Sequence, residues 1–409
     1  VMEQQWLGQT SIICLLAQLS PEMAAKASEP ALHAALAATR CTQPYLSVRV
    51  DAAAFRFEEA LAPVPLTFEE LESDLPAVVR AAARRQLDVG VCREDSFARV
   101  HMLTSPASSH VALLGDHLAL DARSLTIWLR DLMSCLVGGG DAKGLPGKMH
   151  PFVDWTTLVP HVDLAPFVPL AETVMLKTLP SPSEESAKTP PIADIVVSMD
   201  VDVLTRLRAL TKTKGLTINA PLMTAFFTAV ADMARLQQPE LSPPWHVCGL
   251  CAVDLRQRLT SPLPVDYMNN SAGVVPASAS FSDGSELWDV ASTSQAAVSQ
   301  GIAAGEAFRL HDITARGAFE EMAPIFAIPC LWSNVGHLGT QGVQAVEVHL
   351  MGAGSNPVIS GHCIEAADSL SLTVTYAPAC HALSTAQHIG DRFLHHVSVL
   401  ASGGDCPYS

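Results

Sequence analysis

The stretch SSHVALLGDHLALDARSLTIWLRDLM, residues 108–133, carries His117-Leu118-Ala119-Leu120-Asp121 at a change of period. Val111 and Leu113 alternate as in a strand, whereas from about Ser124 the apolar residues recur at helical spacing. A histidine placed where a strand ends and a helix begins can turn one ring nitrogen toward a cleft. Imidazole, with an ordinary pKa of about 6.5, accepts a proton at neutral pH. His117 is therefore a candidate general base. The spacing proves little alone, because 15 His and 41 acidic residues give chance pairs four apart. The rest of the chain must supply the context.

Upstream, 98–104 and 110–120 read as a hairpin joined by Ser105-Pro106-Ala107-Ser108, which delivers His117 at its end. Residues 29–50 read as a helix that stops before Gln43-Pro44 and then a strand, since a residue preceding proline avoids the helical region. LTFEELESDLPAVVRAAARRQL (66–87) reads as helical, with Pro76 either starting a new helix or kinking one. Downstream, TLPSPSEESAKTPP (178–191) is polar, proline-rich and aperiodic, and reads as a linker between halves at 1–177 and 192–409. The second half opens with a strand (192–199) and a helix (201–215) that closes on Lys212, Lys214 and Gly215. Further strands are expected at 246–254, 270–277, 327–335, 343–351, 357–366 and 369–377, and 305–323 as an amphipathic helix. The fold class is mixed α/β.

With 409 residues, 49% of them hydrophobic and 16% charged, the chain has the composition of a globular protein of two lobes. A net charge of −16 argues against nucleic acid or an anionic membrane as partner. TSIICLLAQL (10–19) is too short to span a bilayer and has no basic flank or cleavage site, so the expected address is the cytoplasm. The ten cysteines follow no framework of spacings, which suits reduced thiols. Cys248 and Cys251 form the one CxxC. They lack a second pair or a histidine at ligand spacing and read as buried structural residues; no metal is expected. GGGDAKGLPGK (138–148) fails as a phosphate loop, because Ala142 stands where glycine is needed and Met149 replaces Ser or Thr. His362 and His110, lone histidines in strand-like runs, also read as structural.

Three further segments give HLALD its meaning. AVDLRQRLTSPLPVDYMNNSAGVV (252–275) resembles the D-x-R-x-R-L…P-x-L-P-x-x-Y-x-x-N element of BAHD-type and related acyltransferases, matching at Asp254, Arg256, Arg258, Leu259, Pro262, Leu263, Pro264, Tyr267 and Asn270. LTINAPLMTAFFTAVADM (216–233) is similar to the buried helix that precedes this element in condensation-type enzymes. LWSNVGHLG (331–339) looks like the Ser-Asn-x-Gly loop of the polyketide-associated and alcohol acyltransferase branches. From these segments in this order, the chain is identified as a member of the chloramphenicol acetyltransferase-like superfamily, which includes BAHD acyltransferases and peptide-synthetase condensation domains.

The resemblance implies two similar α/β lobes, with mixed sheets flanked by helices and a channel between them centred on His117. It implies that the Asp121 carboxylate turns away from the channel to pair with an arginine of the second lobe, Arg256 in first place and Arg258 in second. An imidazole-orienting dyad is the other role open to Asp121. Ser333 and Asn334 would line the oxyanion position or the substrate. The implied reaction is acyl transfer from an acyl-CoA or carrier-bound thioester, a co-substrate and not a bound cofactor, to a hydroxyl of a specialised metabolite by a cytoplasmic monomer. A condensation-like enzyme acting on substrates bound to an acyl carrier protein, forming an ester or an amide, is the alternative. Neither a G-x-S-x-G serine nor a motif-placed cysteine is present, which favours direct attack over an acyl-enzyme. Three departures mark the chain: no D-F-G-W-G near the C-terminus, Asp116 where condensation domains carry a second histidine, and Ala122 in place of a glycine.

Overall fold

IICLLAQL, Ile12–Leu19 (β1), is apolar at both parities because it is covered on both faces. Ile12, Cys14 and Leu16 pack on a helix at Pro76–Val89 (α3), while Ile13, Leu15, Ala17 and Leu19 enter the main core. The computed structural model describes residues 11–51, 56–59, 62–117, 119–138, 158–160, 162, 164, 173–179, 192–282, 284–316, 321, 328–351, 358–367 and 369–403. The greater part of the expected linker, 180–191, and residues 139–148 of the glycine-rich stretch lie outside them.

Two large sheets dominate the described residues. The first has the order β11-β1-β6-β5-β4, with β4 at Leu66–Glu70, β5 at Ala98–Thr104, β6 at Ser109–Asp116 and β11 at Val343–Met351. β5 and β6 make the expected antiparallel hairpin, Ala98 opposite Gly115 and Thr104 opposite Ser109. β11 comes from the C-terminal half yet pairs antiparallel with β1, His349 opposite Cys14. The first sheet is thus closed by a strand that begins more than two hundred residues after its neighbours in the chain.

The second sheet has the order β7-β13-β12-β10-β8-β9, running through Ala193–Met199 (β7), Ser369–Tyr376 (β13), Ile359–Ala366 (β12), Cys330–Leu338 (β10), Trp245–Asp254 (β8) and Ala272–Phe281 (β9). Asn219–Gln237 (α6) is buried on nearly every face, as a helix apolar all round should be. It packs on this sheet beside Leu383–Ala401 (α9), which covers β7 and β13. Both sheets are flanked by helices: Pro21–Lys26 (α1), Glu29–Arg40 (α2) and Ala122–Val137 (α4) beside the first, Val201–Thr213 (α5), Leu287–Ala303 (α7) and Arg309–Arg316 (α8) beside the second.

The structure corrects two readings of the N-terminal half. Leu66–Glu70 is not helical: it is an edge strand, paired in parallel with β5 from Leu66 opposite Val100. Its glutamates are good helix formers, but pairing at a sheet edge overrides so short a run. The helix begins at Pro76, where the missing N–H costs nothing. After α2, Pro44–Ser47 forms a 3-10 turn, and a short strand at Val48–Asp51 (β2) pairs with Arg56–Glu59 (β3). No helix among the described residues is long and apolar enough to cross a membrane.

Candidate active site

His117 sits in the turn between β6 and α4. Its backbone is clamped from two directions: its N–H donates to Ser11 O at 2.8 Å, and its carbonyl accepts from the Asn270 side-chain amide, which comes from the second half. Nδ1 is buried with no hydrogen-bond partner among the described residues. The turn is fixed while the ring is left free. Just before it, Asp116 is fully buried and paired with Arg93, whose Nη2 lies 3.2 Å from Oδ1. A carboxylate thus occupies the place of the second histidine, neutralised by its own cation.

Asp121 does not reach toward His117. Its φ of −99° and ψ of 175° are those of a helix N-cap, and Oδ1 accepts from the Ser124 N–H at 2.7 Å and the Ser124 hydroxyl at 2.9 Å. Arg256 meets the same carboxylate end on, Nη1 to Oδ2 at 3.0 Å and Nη2 to Oδ1 at 2.9 Å. The Ser271 N–H donates to Oδ2 at 3.0 Å. Arg256 has no exposed surface, and its remaining donors go to Tyr267 O, Asn269 O, Ser124 Oγ and Asp254 Oδ1. Burial alone would raise the Asp121 pKa, but the Arg256 charge and the hydrogen bonds from Arg256 and Ser124 outweigh it and hold the carboxyl below its usual range. The pair ties the start of α4 to the loop after β8. Arg258 is exposed, and its backbone N–H donates to Leu255 O in a turn. Ala122 is the first residue of α4, where a negative φ suits alanine as well as glycine.

Ser333 and Asn334 are half-buried on β10, within a strand and not the expected loop. A bulge between Asn334 and Gly336 carries the signature: Gly336 has φ +90°, and Asn334 Oδ1 accepts its N–H at 2.9 Å. Ser333 lies directly beside His362 of β12. One position earlier, Trp332 and Gly361 face the helix layer. Trp332 stacks on Phe226 and Phe393 and donates to Asn219, and a methyl on Gly361 would come 2.8 Å from the Phe226 ring. Ser333 and His362 therefore point the other way, toward the first sheet. Burial and then the charge of nearby His117 push the His362 pKa down to about 4. His362, read as structural in the sequence, is paired beside Ser333 and lies near enough to His117 to feel its charge. Its signal was hidden, because strand pairing and not spacing along the chain brings it to His117. Cys248 and Cys251 of β8 are both buried; three apart in a strand, they face opposite sides and cannot share a ligand.

Residues 195–343 match the family described as phthiocerol/phthiodiolone dimycocerosyl transferase C-terminus. The fold is similar to polyketide synthase associated protein 5 from Mycobacterium tuberculosis, with TM-score 0.64 and 14% identity over 98% of this chain and 97% of that one. It is also similar to the condensation domain of the Monacolin K polyketide synthase, with TM-score 0.67 and 12% identity over 100% and 98%. This is the chloramphenicol acetyltransferase-like fold. The trichothecene 15-O-acetyltransferase of Fusarium sporotrichioides shares it as well, at TM-score 0.66 and 13% identity over 98% of this chain and 92% of that one. Compared by sequence with curated proteins, the chain gives no match. Three of the segments singled out in the sequence contribute these residues from separate elements: His117 and Asp121 between β6 and α4, Arg256 after β8 with Asn270 before β9, and Ser333 on β10. The matched family and the Fusarium enzyme are both acyl-transferring enzymes by name.

Proposed function

We propose that this chain is an O-acyltransferase that moves an acyl group from a thioester, carried by coenzyme A or by a carrier protein, to a hydroxyl of a specialised metabolite. The observation that carries the reading is the His117 turn: a backbone clamped by Ser11 and Asn270 around an imidazole whose Nδ1 has no partner among the described residues. A ring held this way is available to substrate. As the acceptor oxygen attacks the thioester carbonyl, His117 takes the hydroxyl proton. The carbonyl electrons collect on the oxygen, where Ser333 and Asn334 donate; a well-placed donor there is worth about 3–4 kcal/mol. Collapse expels the thiolate, which takes the proton back from His117. Asp121 has no part in proton transfer, since Arg256, Ser124 and Ser271 occupy its carboxylate. It is a positioning residue.

The nine cysteines among the described residues are all free, which suits a reducing compartment, and we place the enzyme in the cytoplasm as a monomer. Similarity to the Monacolin K condensation domain supports a second reading, in which the thioester is carrier-bound. The Arg93–Asp116 pair and the charge of −16, unfavourable for an acidic carrier, weigh against it. The test is thiol release from acetyl-CoA and a long-chain acyl-CoA across a panel of alcohols. Release that requires donor and alcohol together, with sequential kinetics, supports the proposal. Acylation of the protein without an alcohol would refute direct attack, and turnover confined to carrier-bound thioesters would favour the second reading.

A further inference from the structure

β13 reads Ser369-Leu370-Ser371-Leu372-Thr373-Val374-Thr375-Tyr376, an alternation that in most antiparallel sheets puts the hydroxyls in water. Here they are buried, with Ser371, Thr373 and Thr375 only 3%, 0% and 4% exposed. Oγ1 of Thr373 and of Thr375 and Nε2 of His362, itself 5% exposed, have no hydrogen-bond partner among the described residues. Buried polar atoms are nearly always satisfied, so three neighbouring exceptions call for an explanation. The register makes them one surface. His362 pairs with Thr373 and lies beside Ser333, and Ser360 pairs with Thr375, all on the face opposite Phe226 and the helix layer. That face is turned to His117, whose charge acts on His362. The neighbouring ionisable group, Asp194 opposite Thr375, is engaged by His349 at 3.0 Å and Arg84 at 3.2 Å. Arg84 keeps Nη2 without a partner among the described residues, so the charges bordering the wall are one paired carboxylate and its two cations.

We propose that His362, Thr373 and Thr375 form an acceptor subsite that holds a neutral hydrogen-bonding group of the alcohol, a second hydroxyl, a carbonyl or an amide close to the hydroxyl that reacts. The proposal rests on the acyltransferase reading and deepens it. Ser333 marks where the subsite meets the oxyanion position. An anionic group would meet the Asp194 carboxylate, which already holds His349 and Arg84, and an ammonium would meet a carboxylate already paired with both. A hydrocarbon would leave the three polar atoms unpaired, so selectivity follows from what a plain alcohol cannot satisfy.

The test is steady-state thiol release by the wild type, Thr373→Val and His362→Leu with two alcohols of equal length, a plain alkanol and one carrying a second hydroxyl or an amide. Thr373→Val keeps the shape while removing an unpaired buried hydroxyl, so it does not weaken the fold and isolates the contact. The wild type is expected to favour the polar alcohol by about tenfold or more in kcat/KM. In each variant the preference should fall to near parity, through KM for the polar alcohol. The subsite is overturned if the wild type shows no preference, if both variants keep it, or if KM for the thioester rises instead. Should the wild type release thiol with no alcohol at all, the acyltransferase reading fails separately. The subsite is then judged by the His362 ring resonance, assigned with the His362→Leu variant, on titration with the polar alcohol: a saturable shift supports it and an unmoved resonance overturns it.

Discussion

Replacing Asp121 by alanine removes five accepted hydrogen bonds at once: two from Ser124, two from Arg256 and one from the Ser271 N–H. Taking one partner from a buried ion pair costs about 3–5 kcal/mol, and loss of the N-cap adds about 1 kcal/mol. Asp121→Ala should therefore lose roughly 4–6 kcal/mol, a large part of the roughly 5–15 kcal/mol that holds a domain folded. Arg256→Met leaves Asp121 its Ser124 and Ser271 donors but no cation, and should cost about 3–5 kcal/mol. In the double variant neither charge is left buried alone, so its cost should fall short of the sum by about 2–3 kcal/mol. Urea unfolding followed by far-UV circular dichroism and tryptophan fluorescence gives all three values. Additivity within about 0.5 kcal/mol, or an Asp121→Ala cost below about 1 kcal/mol, would refute the coupling of the two halves through this pair. Among molecules still folded, kcat should fall while the pH profile keeps its midpoint, because Asp121 acts on position and not on the proton.

Other outcomes follow from the same contacts. His349, fixed between Asp194 and Glu347, opposes its burial with two carboxylates, and its pKa rises to about 9. Its folded pKa lies above the unfolded one, so its contribution, on the order of 2–3 kcal/mol, is complete below about pH 6.5 and lost as pH rises through 9. Urea midpoints should fall over that window, and His349→Gln should flatten the fall. Asp116→His restores a second histidine but takes the buried carboxylate from Arg93, and should lower stability by about 3 kcal/mol in the same unfolding assay. Gly361→Ala drives a methyl to within 2.8 Å of the Phe226 ring and should cost about 1–3 kcal/mol. It should also depress turnover, because β12 carries His362.

The sequence displayed most of the fold because its signals were local. Alternation marked β5, β6, β12 and β13, and HLALD and DLRQRL marked the residues that hold the halves together. What it hid was set by pairing over long distances. VQAVEVHLM is a good strand in either sheet, and nothing within it tells that β11 joins β1. LTFEE carries helix formers, and only its place beside β5 makes it a strand. Asp121 as an N-cap moves the start of α4 to Ala122, ahead of the first clearly periodic residue. Ser-Asn-x-Gly has the composition of a turn, yet it is a bulge inside β10. His362 is one lone histidine among fifteen until the register sets it beside Ser333 and near His117.

The central claim is that His117 performs the proton transfer of acyl transfer from thioester to alcohol. Its most direct test compares thiol release by the wild type and His117→Ala at saturating donor and alcohol, with the fold of both verified by circular dichroism and the urea midpoint. Removal of a general base should lower kcat by about 10²–10⁴-fold with the midpoint unchanged. Turnover by folded His117→Ala at the wild-type rate would contradict the account.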